Sequence, residues 1–363
     1  MKKLYLLLVI LLIAGSVTLL RAQVSGGDIP TSPRLSSSDY LTEHGRNIYN
    51  KAKSGDANSQ SELAFFLYNG IEANINYHDV LYWAKKAADQ KNPCGAFYLG
   101  HCYNFGMYVR KNTSVAKQWY NKAFEWANAR KNSTDKYVLG MLYNYGWGVY
   151  MDKEAAFRWF NMSADEGNAK GQYRMGLAYY LGEGTEKNYE KAERYFLKAA
   201  DKNHFLSEYY LGLIYSKGGY GVKKAPKTAS KFFETAAKHN YAKAQAEMGY
   251  NYIHGYGVEQ DYDKAIKWYR RAAEQENTRA QFNLALCYRD GIGVPKNNSQ
   301  MIYWYEKAVK NGDASAMNNL AYCYWEGLGV KINKAKAVEL WREAANKGNK
   351  KAEENLRKRG YTW

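Results

Sequence analysis

Ser114-Val-Ala-Lys117 has the S-x-x-K spacing in which a lysine one helical turn away can activate a serine for acyl transfer. No S-D-N or K-T-G accompanies it, so the pair reads as a helix N-cap serine followed by a solvated lysine. Six histidines, His44, His78, His101, His204, His239 and His254, stand at neither H-x-x-x-H nor H-x-x-H spacing. A zinc site would need long-range coincidence, and the histidines read as surface or helix-lining residues. Asp261-Tyr-Asp263 is spaced like a calcium loop but lacks the glycine at the sixth position, and helix capping accounts for both acids. The sequence therefore assigns no catalytic residue, no metal and no cofactor.

The glycines carry a different message. Gly146-Trp-Gly148-Val149, Gly219-Tyr-Gly221-Val222, Gly255-Tyr-Gly257-Val258, Gly291-Ile-Gly293-Val294 and Gly327-Leu-Gly329-Val330 recur, with Gly182-Glu-Gly184 filling the gap. Successive first glycines are 36, 37, 36, 36 and 36 residues apart. Such a period means one supersecondary unit copied and stacked, because one copy cannot bury its own apolar face. No strand pattern precedes the G-x-G pairs, so they are not dinucleotide fingerprints.

Residues 241–276 serve as the type repeat. Ala242, Gln245, Met248, Gly249 and Tyr252 share one helical stripe, which Gly255 ends in a left-handed turn where a Cβ would be strained. Asp261 is placed to cap a second helix carrying Ala265, Trp268, Tyr269, Ala272 and Ala273. The aromatic of that second helix recurs as Trp83, Trp119, Trp159, Tyr195, Phe232, Trp268, Trp304 and Trp341, a phase that predicts packing between repeats rather than sugar stacking. An extra four residues between Trp119 and Trp159 are expected to fall at 128–135, between repeats.

The pattern LG-x-x-Y-x-x-G-x-GV followed by KA-x-x-WY-x-KAA stands in Leu211-Gly212-Tyr215, Gly255-Gly257-Val258 and Lys264-Ala265-Trp268-Tyr269. It resembles the Sel-like repeat, a relative of the tetratricopeptide repeat. The resemblance implies an all-α fold: a right-handed α/α superhelical solenoid of about eight helix-turn-helix repeats that holds partner proteins. Some cysteine-rich members of that family have been called β-lactamase-like, but their paired-cysteine pattern is missing here.

The expected organisation is a signal peptide over 1–22, a flexible linker over 23–38, an N-terminal capping helix over 39–54, eight repeats over 55–349 and a C-terminal capping helix over 350–363. Lys2, Lys3, the apolar run from Leu4 to Leu20 and Ala22 form the signal pattern. Export to the periplasm of a bacterial envelope or to the medium follows, with tethering by an uncleaved signal anchor as the alternative. The net charge of +17 draws an exported chain to anionic surfaces, and export takes it away from nucleic acid, which is therefore a poor partner. The four cysteines read as buried thiols, because equivalent repeat positions lie too far apart for a disulfide.

A binding surface should vary where the scaffold does not. With Met248 as position zero, position −1 of the first helix reads Tyr98, Val138, Arg174, Tyr210, Glu247, Asn283 and Asn319. Position +6 ends in His254, Asp290 and Glu326, and position +2 supplies Tyr250 and Tyr322. These residues should face the concave groove. There Asn283 and Asn319 would bond a peptide backbone, Tyr210, Tyr250 and Tyr322 would give apolar contact, and Glu247, Asp290 and Glu326 would favour basic side chains. The function expected is that of an exported non-enzymatic scaffold for a protein or peptide partner. The alternatives are a cell-envelope binder of glycan or anionic lipid and, more remotely, a cell-wall hydrolase.

Overall fold

The computed structural model describes residues 29–40 and 42–363. The signal peptide expected over 1–22 and the first part of the linker lie outside them. Among the described residues are eighteen α-helices and one short 3-10 turn, Ser37–Asp39. A leading helix α1 (Glu43–Lys53) is followed by eight helix pairs. These are α2 (Ala57–Asn69) with α3 (Tyr77–Asp89), α4 (Pro93–Phe105) with α5 (Thr113–Arg130), and α6 (Ser133–Tyr145) with α7 (Lys153–Asp165). Next come α8 (Ala169–Leu181) with α9 (Tyr189–Ala200), α10 (Phe205–Lys217) with α11 (Pro226–Lys238), and α12 (Ala242–His254) with α13 (Tyr262–Glu274). The series ends with α14 (Thr278–Asp290) with α15 (Asn298–Lys310), α16 (Ala314–Glu326) with α17 (Lys334–Asn346), and a closing helix α18 (Lys350–Lys358).

Local chemistry repeats as regularly as the helices. Most helices open on Asn or Asp whose side chain accepts a backbone N–H, as at Asp56, Asn112, Asn188, Asp261 and Asn333. This places the cap of α5 at Asn112 rather than Ser114, which is already helical and exposed, as is Lys117. First helices end on left-handed glycines, such as Gly146 at φ 68° and Gly255 at φ 69°. The extra residues expected as a connection at 128–135 are instead partly absorbed into helix: α5 runs 18 residues where its counterparts run 12 or 13, continuing to Arg130. Helical propagation satisfies those backbone groups internally, whereas a longer loop would have left them to solvent.

In most repeats a sealed aromatic of the second helix sits one residue later than the spacing suggested, although Trp83 and Trp304 are themselves buried at the expected place. Tyr120, Phe160, Phe196, Phe233, Tyr269 and Tyr305 are sealed, whereas Trp119, Trp159, Tyr195, Phe232 and Trp268 are half-buried. Trp341 occupies the place of Tyr269, and Leu340 that of Trp268. Each sealed ring of the central repeats lies flat on a first-helix glycine. A Cβ on Gly140, Gly176, Gly212 or Gly249 would come within 2.5 Å of Phe160, Phe196, Phe233 or Tyr269. The missing side chain makes the slot that the ring fills, and close packing of this kind leaves little room for adjustment.

The described residues form two compact units, one within Arg21–Tyr241 and the other Ala242–Trp363. Within the first unit successive first helices α2, α4, α6, α8 and α10 touch one another, which sets them on the inner side of the curve. The curve is tight enough for the first repeat to meet the fourth and fifth. Lys170 reaches Glu62 at 2.6 Å, and the Glu72 N–H donates to the His239 carbonyl at 2.9 Å. Asn240 donates to Asn74 at 3.0 Å. Residues 29–40 also lie on this unit, because the sealed Asp79 carboxylate accepts the backbone N–H groups of Arg34 and Leu35, both at 2.8 Å.

Candidate functional site

The proposed groove residues divide between the units. Tyr210 belongs to the first, half-buried, its ring stacked 5.4 Å from Phe196 and edge-on 5.4 Å from Tyr180. The other eight lie on α12, α14 and α16 of the second unit, and none of them is buried. There Asn283 donates to the Tyr269 hydroxyl at 3.2 Å, and Asn319 repeats the contact with Tyr305 at 3.1 Å. The sealed rings of the repeat thus fix the amides of the exposed face, and helical phase alone does not reveal that tie.

The acids of this face are not the uncompensated stripe expected. Arg279 bonds Glu247 and places its guanidinium 5.1 Å from the centre of the Tyr250 ring. Arg289 grips Asp290 through two bonds, at 2.7 and 2.8 Å. Arg359 stands 3.9 Å from Glu326 while lying over Trp325 and Trp341. The correction is electrostatic: each acid already has its arginine, so the face alternates in sign instead of being acidic. The half-buried Tyr250 groups with the exposed His254 and Tyr256 at the end of α12, with Tyr250 and His254 4.4 Å apart. Tyr322 is 44% exposed on α16.

Three of the six histidines have contrasting surroundings. His101 and His204 are enclosed by aromatic rings, and burial pushes both imidazoles down to about 3, so they are neutral at physiological pH. His239 instead donates from its ring to the sealed Glu72 carboxylate at 2.7 Å, which also holds Thr42. Burial alone would raise Glu72, but the bonds from His239 and Thr42 outweigh it and hold the carboxyl below its usual range. Among the described residues no group of three or more His, Cys, Asp or Glu side chains could hold a metal ion. The four cysteines are buried free thiols, and burial drives Cys94 up to about 11 and Cys102 to about 12. Among the described residues no helix is long and apolar enough to cross a membrane.

Stacked helix pairs, with successive first helices in contact, define a helical repeat protein. The Sel1 repeat family matches at residues 57–92, 95–125, 136–168, 169–204, 206–241, 242–277, 278–313 and 314–349. The chain belongs to the Sel1-repeat family. It is similar to a Sel1 repeat protein from Oxalobacter formigenes, at 34% identity over 62% of this chain and 92% of that one, with a TM-score of 0.58. It is also similar to a protective antigen of uropathogenic Escherichia coli displaying an SLR fold, at 32% identity over 86% of this chain and 73% of that one, with a TM-score of 0.42. Helicobacter pylori cysteine rich protein B aligns at 25% identity over 36% of this chain and 92% of that one, with a TM-score of 0.29. No curated protein matches the chain. Sel1-repeat proteins are in general protein-interaction scaffolds, and their fold is typically non-catalytic.

Proposed function

We propose that this protein is an exported, non-catalytic scaffold that holds an extended segment of a protein partner along the first-helix face of α12, α14 and α16. The observation carrying the reading is the pair of amides tied to sealed tyrosine hydroxyls, Asn283 to Tyr269 and Asn319 to Tyr305, at equivalent positions of adjacent repeats. Amides held in place at a fixed repeat spacing suit the regular backbone groups of an extended peptide and lose little entropy on binding. Around them, Tyr250 and Tyr322 supply apolar contact, and the arginine–acid pairs of Glu247, Asp290 and Glu326 make a rim of mixed charge. Export rests on the N-terminal pattern of Lys2, Lys3 and the Leu4 to Leu20 run.

The test begins with crosslinking of the exported form to identify its partner, which is then titrated against wild type, Asn283→Ala/Asn319→Ala and Tyr322→Ala. Affinity should fall about tenfold or more in variants that melt normally, as expected for loss of fixed hydrogen bonds or an aromatic contact. Wild-type affinity in all of them refutes the reading. Sedimentation with peptidoglycan or anionic vesicles that fades with added salt would favour the envelope-binding alternative.

A further inference from the structure

Arg174 on α8 is the exception among the inner-face cations. It is only 6% exposed, its Nε has no hydrogen-bond partner, and among the described residues no carboxylate lies within 4 Å of it. One turn earlier on the same helix, Lys170 is as deeply placed but has Glu62 at 2.6 Å. In the second unit Arg279, Arg289 and Arg359 each have an acid. A sequestered guanidinium with no carboxylate in contact loses hydration that must be replaced by other partners. Its rings, Phe160 at 4.9 Å and Tyr145 at 5.9 Å, replace only part of that hydration through cation–π attraction.

The surroundings repeat the theme. Lys153 places its ammonium 5.7 Å from the other aromatic partner of Arg174, the Tyr145 ring, while donating to Asn144 at 2.9 Å. Burial, opposed by Glu183 and reinforced by Arg174, holds that ammonium below the usual lysine range. Tyr173 and Tyr210 lie beside them, with rings 5.8 Å apart. Two cations and several phenols therefore meet on the inner side of repeats 3 to 5, with the Glu183 carboxylate acting on both cations but in contact with neither. Arg174 sits at the position that holds Tyr98, Val138 and Tyr210 in neighbouring repeats, so the helix does not require a cation there.

We propose that Arg174 anchors a carboxylate from an acidic segment of a bound polypeptide, with Lys153 as the second cation and the tyrosine hydroxyls as neutral donors. A planar guanidinium matches a carboxylate through two parallel bonds, and a chain of net charge +17 attracts acidic partners from a distance. The site reverses the preference for basic peptides read from the acids of α12 to α16. It rests on the scaffold reading but uses other residues in the other unit.

The experiment is fluorescence anisotropy with a blocked oligoglutamate peptide at fixed ionic strength, with oligoglutamine and inorganic phosphate as competitors, on the full chain. Arg174→Gln should weaken oligoglutamate binding about tenfold or more, Arg174→Lys should retain part of it, and Lys231→Gln, an exposed lysine on α11, should change nothing. Variants are compared only where their melting matches wild type. Equal binding by Arg174→Gln and wild type, or competition by oligoglutamine or phosphate as strong as by oligoglutamate, overturns the assignment. An Arg174 failure with Asn283/Asn319 effects intact leaves the scaffold reading standing, and the converse result leaves this site standing.

Discussion

Glu208 offers a measurable test of how firmly the inner face of the first unit is sealed. It lies in the first turn of α10, where the helix dipole favours an anion by at most about 1 kcal/mol at an exposed position. Burial overrides that: its Oε2 has no partner, and the carboxyl is pushed up from 4.5 to about 8. Between those two values the native state keeps a proton that the unfolded chain releases. Stability contributed by this group is therefore fullest below pH 4.5 and falls as pH rises toward 8. Linkage at 1.36 kcal/mol per unit makes the loss about 3 kcal/mol between pH 4.5 and pH 7.5. The assay is urea unfolding of wild type and Glu208→Gln across that range, followed by tryptophan fluorescence. The stability difference between the two proteins should shift by about 3 kcal/mol in favour of the variant as pH rises. Parallel pH curves would mean that the carboxylate is solvated and the interior of this unit open to water.

The packing phase makes a prediction of its own. Tyr269→Ala should cost about 3–5 kcal/mol by emptying the slot over Gly249, whereas Trp268→Ala, at a half-buried ring, should cost about 1–2 kcal/mol. Thermal melting that ranks them the other way would contradict the packing. His239→Ala should destabilise by about 3 kcal/mol, since it strips the sealed Glu72 of its ring partner. Because Glu72 is held below its usual range, its contribution is present above pH 4.5 and lost as pH falls further, so the variant should also show a flatter acid limb in urea midpoints.

The repeat and its helix pairs were legible because period and turn chemistry are local. Gly255 at positive φ and Asp261 as a cap follow from backbone sterics and unsatisfied N–H groups, which any copy of the motif must answer. The aromatic phase was harder: in the Trp268-Tyr269 pair both rings are large and apolar, and only the slot over Gly249 shows which is sealed. The signal was present in the Leu-Gly pair of the first helix. Charge was harder still. Glu247 and Glu326 look uncompensated along one helix, because their arginines, Arg279 and Arg359, come from later helices. Arg174 stood in the same row, but its isolation depends on which residues do not approach it.

The meeting of Glu72 with His239 joins residues separated by 167 positions, in an architecture where each copy ordinarily answers only to the one beside it. A linear array can fray from its end one copy at a time. Here, peeling away the first copy must also strip the fifth, so the leading half of the chain should resist stepwise unzipping and open as a block. Deleting that first copy would then expose two seams rather than one, and truncations that ordinary solenoids tolerate should fail here.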